Sequence, residues 1–205
     1  MIETQIIDNA LNSHDFEKIQ AALTVGNMFP WFWNDSIAAN PVPELLKNLI
    51  EFHEFGSQIA KARNEDNYYF THQFYGHFAI HEHEANKEEY NSNKEAALQQ
   101  STLKHWPMTQ PLLDLLNPSF LIRVKANLYL RTDEIEHHNN HTDYPFEHRA
   151  AILYINTNNG LTVLEDGTEC ESVANRLLLF DGSKLHHSTT CTDQKRRVNI
   201  NMNYM

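Results

Sequence analysis

The spacing of apolar and polar residues changes near residue 118. Before that point apolar residues recur mostly at helical spacing; after it they alternate. Ser13 is placed to cap a helix running to about Val25, with Asp15 and Glu17 in its first turn, where carboxylates suit the helix dipole. Pro43 opens a second helix to about Arg63, its apolar stripe formed by Leu45, Leu46, Leu49, Ile50, Phe52 and Ile59. A short third runs from Thr109 to Leu116 and ends before Pro118. Between these, Glu3 to Ile7 predicts a short strand, Phe29 to Trp33 an aromatic extended segment, and Tyr68 to Ile80 a strand. His81 to Lys104 is acidic, polar and partly helical.

From Ser119 onward the chain predicts strands broken by turns. Phe120 to Arg131 sets Arg123, Lys125, Asn127 and Tyr129 on one face against Ile122, Val124, Ala126, Leu128 and Leu130. Arg149 to Asn156 and Leu161 to Leu164 are further strands, the second closed by the turn Glu165-Asp166-Gly167. Arg176 to Phe180 is apolar on both faces, which predicts a central, covered strand. Arg197 to Tyr204 alternates again, with Arg197, Asn199, Asn201 and Asn203 opposite Val198, Ile200, Met202 and Tyr204. Short strands at this spacing predict a jelly roll with a polar interior, its outer face packed on the N-terminal helices. The expected class is mainly β: a double-stranded β-helix core supported by α-helices. Residues 1–205 form one domain in this reading, 1–117 as helical support and 118–205 as core.

Composition narrows the function. At 41% hydrophobic and 11% aromatic, the chain can bury a core. No apolar run approaches a membrane span, and no signal peptide is visible at the N-terminus, so a cytoplasmic protein is expected. Only two cysteines are present, Cys170 and Cys191, in no zinc spacing. A net charge of −11 disfavours nucleic acid as a partner, with Lys195-Arg196-Arg197 as the sole compact cationic cluster. Thirteen histidines make any single one weak evidence of chemistry. Trp31, Trp33 and Trp106 read as core, and His137 and His138 as loop residues rimming a site.

One combination stands out. In extended backbone His141 and Asp143 share a face and can meet one metal ion. A further histidine follows 43 residues beyond Asp143, at His186 or its neighbour His187; in a regular strand only one of the two can face the metal. Two imidazoles and a carboxylate on one side of an ion, with open positions opposite, is the ligand set of non-haem Fe(II) oxygenases. Arg197, favoured over Arg196 because it shares a face with three Asn, suits a dicarboxylate co-substrate. Tyr129 and Tyr154 could donate hydroxyls to a carboxylate, or simply pack in the barrel wall. His81-Glu82-His83-Glu84 also alternates donors, yet has no third ligand near it.

These residues resemble the Fe(II)- and 2-oxoglutarate-dependent dioxygenases, in particular their prolyl 4-hydroxylase-like branch with bacterial and phage members. The resemblance covers about Phe120 to Tyr204. It rests on Asn127-Leu128-Tyr129, His141-Thr142-Asp143, Tyr154-Ile155-Asn156, Asn159-Gly160-Leu161-Thr162, Phe180-Asp181-Gly182 leading to His186, and the run from Arg197. It implies His141, Asp143 and His186 as iron ligands, His186 in preference to His187. Arg197 would hold the far carboxylate of 2-oxoglutarate, assisted by Tyr154, with Tyr129 and Asn127 near the chelating end. Iron(II), 2-oxoglutarate and ascorbate are the implied cofactors. O2 and a small-molecule or peptidyl substrate, prolyl above all, are the implied partners. Asp143 separates the chain from halogenating relatives, which have a small residue there. The sequence leaves two other readings open: a zinc hydrolase on the same three ligands, and a non-catalytic jelly roll that binds a ligand or builds a particle.

Overall fold

Two sheets face each other: Ile152, Tyr154, Leu178 and Phe180 of one pack on Leu164 and Cys170 of the other, and Arg197 of the first donates to Thr162 of the second. The computed structural model of the chain describes residues 2–25, 29–34, 68–76 and 104–205. In chain order the described elements are β1 (Gln5–Ile7), α1 (Ser13–Thr24), β2 (Phe32–Asn34), β3 (Tyr69–Tyr75), a 3-10 turn (Trp106–Thr109) leading into α2 (Gln110–Leu116), β4 (Leu121–Leu130), β5 (Arg149–Tyr154), β6 (Leu161–Leu164), β7 (Glu169–Glu171), β8 (Leu177–Asp181), β9 (His186–Ser188) and β10 (Arg196–Tyr204). The larger sheet has the order β1-β8-β5-β10-β4-β3-β2, and the smaller β7-β6-β9. All named pairings are antiparallel. This is the expected jelly roll. The helix expected from Pro43, the segment from His81 to residue 103 and the alternating donors His81 to Glu84 lie outside the described residues.

The outer face of the larger sheet is apolar and packs on the helices. Val124, Ala126 and Leu128 of β4 and Val198, Ile200 and Met202 of β10 share one buried cluster with Phe16, Ile19 and Leu23 of α1 and Leu112 of α2. Each of these larger side chains stabilises the fold by roughly 1.5–3 kcal/mol through burial. That packing fixes which face of β4 and β10 turns inward; in the observed register Arg197 pairs with Tyr129, Asn199 with Asn127, Asn201 with Lys125 and Asn203 with Arg123. A one-residue slip would turn the Asn series toward the helices and the aliphatic series inward, exchanging every favourable contact at once.

Several boundaries differ from the sequence reading, each for a local reason. Asn12, not Ser13, caps α1: its side-chain oxygen accepts from the Asp15 amide at 3.1 Å, while its own amide nitrogen donates to the Asp15 carboxylate at 2.6 Å. Asn117 ends α2 in the left-handed region with φ 42°, a conformation Asn tolerates. Strand β8 is not central but second from the edge, where β1 covers it. Trp33 is 56% exposed and stacks on Tyr68, so it is not a core residue. The cationic cluster is no surface patch, because Arg197 is fully buried and Arg196 donates to the carbonyl of Thr24. Both cysteines are free and buried. No helix among the described residues is long and apolar enough to cross a membrane.

Candidate metal centre

His141 lies in the long β4–β5 connection, yet it is held like a strand residue. It exchanges two backbone hydrogen bonds of 2.9 Å with His186, the first residue of β9. This pairing brings the two imidazoles to a centroid separation of 4.5 Å. The Asp143 amide then donates to the carbonyl of Gly182 at 3.0 Å, fixing the carboxylate beside them. One donor atom from each of His141, Asp143 and His186 lies within 4.8 Å of the others, and they form the one such group among the described residues. An ion held about 2.1 Å from each donor on one face of an octahedron needs the three to draw in by up to about 1 Å.

Both imidazoles are oriented for the same use. Nδ1 of His141 lies 3.2 Å from the carbonyl of Asn139, and Nδ1 of His186 lies 3.0 Å from that of Lys184. A ring that donates Nδ1–H to a carbonyl presents an unprotonated Nε2 to a metal. Burial, reinforced by the neighbouring His186, lowers His141 to about 4, so it is neutral at physiological pH. His187 points elsewhere: its ring nitrogens meet Asn140 at 2.8 Å and His137 at 3.1 Å.

Asp143 is gripped from both sides. Arg123 Nη2 donates to Oδ1 at 2.6 Å, and Asn203 Nδ2 donates to Oδ2 at 2.8 Å. Arg123 also donates to the Asn203 side-chain oxygen at 3.0 Å, closing a triangle. Burial alone would raise the Asp143 carboxyl; Arg123, the two imidazoles and Asn203 outweigh it and hold it well below the usual carboxylate range. Behind Asn203 stands His148, 3.2 Å away, packed so tightly on Gly182 that no Cβ fits there. The sequence reading assigned no role to Arg123, Asn203, His148 or Gly182. The alternation of β4 and β10 was the available signal for the first two.

Arg197 occupies the other end of the β4/β10 ladder. It is completely buried, donating to Ser172 Oγ at 2.8 Å, Thr162 Oγ1 at 3.0 Å and the Thr189 carbonyl at 3.4 Å. None of the ion pairs of the described residues includes it. Tyr154 donates to the same Thr162 hydroxyl at 2.8 Å, with its ring 5.7 Å from the guanidinium carbon. Tyr129 is the register partner of Arg197, its ring 5.5 Å from the guanidinium carbon. Asn127 donates to Asn199 at 2.8 Å, and its own side-chain oxygen is buried without a partner.

Gly160 backs this arginine. A Cβ there would lie 2.6 Å from Arg197 Cδ and 2.7 Å from the Thr190 carbonyl. Gly160→Ala is therefore expected to destabilise the fold by about 1–3 kcal/mol through overpacking, read as a lower urea midpoint at unchanged slope.

His138 is not a rim residue. It is 4% exposed, stacks on Tyr129 at 5.1 Å, and has Nδ1 2.7 Å from Ser188 Oγ and Nε2 without a partner. Burial, with repulsion from Arg197 and neighbouring imidazoles, lowers it to about 3. Its folded value lies below the unfolded one of about 6.5, so the unfolded chain takes up the proton first. The stabilisation is complete above pH 6.5 and drains as pH falls towards 3. In metal-free protein, His138→Phe is expected to flatten the acid limb of urea stability by up to about 1.4 kcal/mol per pH unit in that window. An unchanged slope would contradict a neutral buried imidazole.

Comparison with known proteins places this arrangement in context. No family model matches the sequence, and no curated protein does. Among solved structures, an oxidoreductase of the 2OG-Fe(II) oxygenase family from Burkholderia pseudomallei superposes with a TM-score of 0.56 at 12% identity, over 98% of this chain and 84% of that one. SnoN, a non-haem α-ketoglutarate-dependent epimerase of nogalamycin biosynthesis, gives 0.52 at 11% identity over 98% and 77%. SnoN in complex with Fe3+, α-ketoglutarate and nogalamycin RO gives 0.50 at 10% identity over 98% and 78%. The likeness is one of fold: this chain has the jelly roll found in 2OG-Fe(II) oxygenases.

Proposed function

We propose that the protein is an Fe(II)- and 2-oxoglutarate-dependent hydroxylase acting on a C–H bond of a small-molecule or peptidyl substrate. The observation that carries this reading is the pairing of a His141-Asp143-His186 donor set with a fully buried arginine that has no anion of its own. A guanidinium removed from water and opposed by two hydroxyls and a backbone carbonyl costs several kcal/mol unless an anion arrives. A dicarboxylate whose far end reaches Arg197 answers that cost. A metal hydrolase on the same three ligands leaves Arg197 without a role.

The donor set fits iron(II), since two imidazoles and one carboxylate leave three octahedral positions open. Iron with 2-oxoglutarate and O2 supplies the oxidising chemistry, giving succinate and CO2 and inserting oxygen into the substrate. The protein's own residues do the rest. His141, Asp143 and His186 hold the ion, and Arg123 and Asn203 keep the Asp143 carboxylate ionised and oriented. Arg197, Thr162 and Tyr154 receive the far carboxylate, while Tyr129 and His138 close the wall against water. The prolyl lean of the sequence resemblance bears on the substrate only, and ascorbate as accessory reductant rests on the same resemblance.

Anaerobic addition of Fe(II) and 2-oxoglutarate tests this. A weak visible charge-transfer band is expected, together with succinate formation on admitting O2. No band at saturating Fe(II) and 2-oxoglutarate would sink the proposal.

A further inference from the structure

Lys125 lies on the inner face of β4 between Arg123 and Asn127, and nothing in the proposed chemistry uses it. Its ammonium is 3.4 Å from the Tyr69 hydroxyl and 5.5 Å from that ring's centre. It enters none of the ion pairs of the described residues. Arg123, one inward-facing position away, is satisfied by Asp143. Arg197 is answered by the far carboxylate of 2-oxoglutarate under the proposed reading. Lys125 is four residues from Tyr129, the partner of Arg197, or about 13 Å of strand. The stacked rings of Tyr69 and Tyr129 stand between the two cations.

Directly across the ladder from Lys125 stands Asn201, 8% exposed, whose side-chain oxygen has no hydrogen-bond partner. A lone ammonium beside a phenol suits a carboxylate, which one point charge and one O–H donor can hold. An unpaired amide oxygen opposite it asks for an N–H donor. We infer that the substrate is an amino acid or the C-terminal residue of a peptide, its carboxylate held by Lys125 and Tyr69 and its N–H received by Asn201. The inference rests on the oxygenase reading for which C–H bond reacts, and on the register alone for what is bound. It moves the substrate away from an internal prolyl residue, which offers no carboxylate.

The test uses the full chain loaded anaerobically with Fe(II) and 2-oxoglutarate. Calorimetry compares each free L-amino acid with its carboxamide, and glycyl dipeptides with their amides. At least one acid is expected to bind about 30-fold or more tightly than its amide. Lys125→Met should erase that preference, Lys125→Arg should retain part of it, and both should keep the wild-type charge-transfer band. Preference for the dipeptide acids would assign the peptide terminus, and preference for the free acids the amino acid. Amides binding as well as acids, or no acid binding at all, would overturn the inference. Loss of the band in Lys125→Met would also overturn it, by assigning the ammonium to 2-oxoglutarate. Absence of the band in wild type would remove the oxygenase reading instead; the acid–amide comparison on metal-free protein would still decide the role of Lys125.

Discussion

Asp143→Ala is expected to lower Fe(II) affinity by more than about 100-fold and to abolish the charge-transfer band with 2-oxoglutarate. The loss of partners around a ligand typically costs 10- to 100-fold, so removing the ligand itself goes beyond that range. The structural reason is specific to this site. Asp143 is the one anion facing two imidazoles, and its side chain is 5% exposed. Water cannot readily replace it, and the Arg123 guanidinium left behind would repel the incoming ion. Stranding Arg123, whose side chain is 18% exposed, should also cost about 1–3 kcal/mol of stability, less than a fully buried ion would.

Arg123→Gln is the instructive companion. It leaves the ligand in place and removes the grip on Oδ1, so a 10- to 100-fold loss of Fe(II) affinity is expected, with the band recovered at higher iron. Titration with a competing chelator reads both variants. Wild-type affinity in Asp143→Ala would exclude the carboxylate as a ligand.

Arg197→Met is expected to act on the co-substrate and not on the metal. Truncating one member of a buried charge pair costs about 2–5 kcal/mol, so the Kd for 2-oxoglutarate should rise about 30-fold or more. The metal-free protein should behave oppositely. Buried polar deletions usually destabilise, but here the deleted charge has no anionic partner, and Met replaces it with a flexible apolar chain. Its urea stability should therefore stay within about 1 kcal/mol of wild type, or exceed it. A large loss of apo stability with unchanged 2-oxoglutarate binding would make Arg197 a structural hydrogen-bond hub for Ser172 and Thr162 and nothing more.

The inner faces of β4 and β10 were legible because a strand has period two, and both strands alternate without interruption. The convergence of His141 and His186 was legible only through resemblance. No local pattern announces that a loop residue will exchange backbone bonds with the start of a three-residue strand. β7 and β9, at three residues each, are too short to carry a periodic signal, and the sequence reading left both unassigned. The exposure of Trp33 runs against its apolar character, because side-chain character alone does not say which face a strand turns inward.

Read alone, the amino-acid order settled whatever depends on neighbours within a few positions: the change from helical to alternating spacing, the polar row 123-125-127-129, the row 197-199-201-203, and the proximity of His141 to Asp143. Tertiary structure alone decided which members of those rows meet. Packing of Val198, Ile200 and Met202 on α1 set which face turns inward, and the ladder's register put Arg197 against Tyr129, Lys125 against Asn201 and Arg123 against Asn203. Pairing of that kind is a long-range outcome beyond the reach of local pattern, since the same alternation slid by two residues would keep every side chain on its face and change every partner.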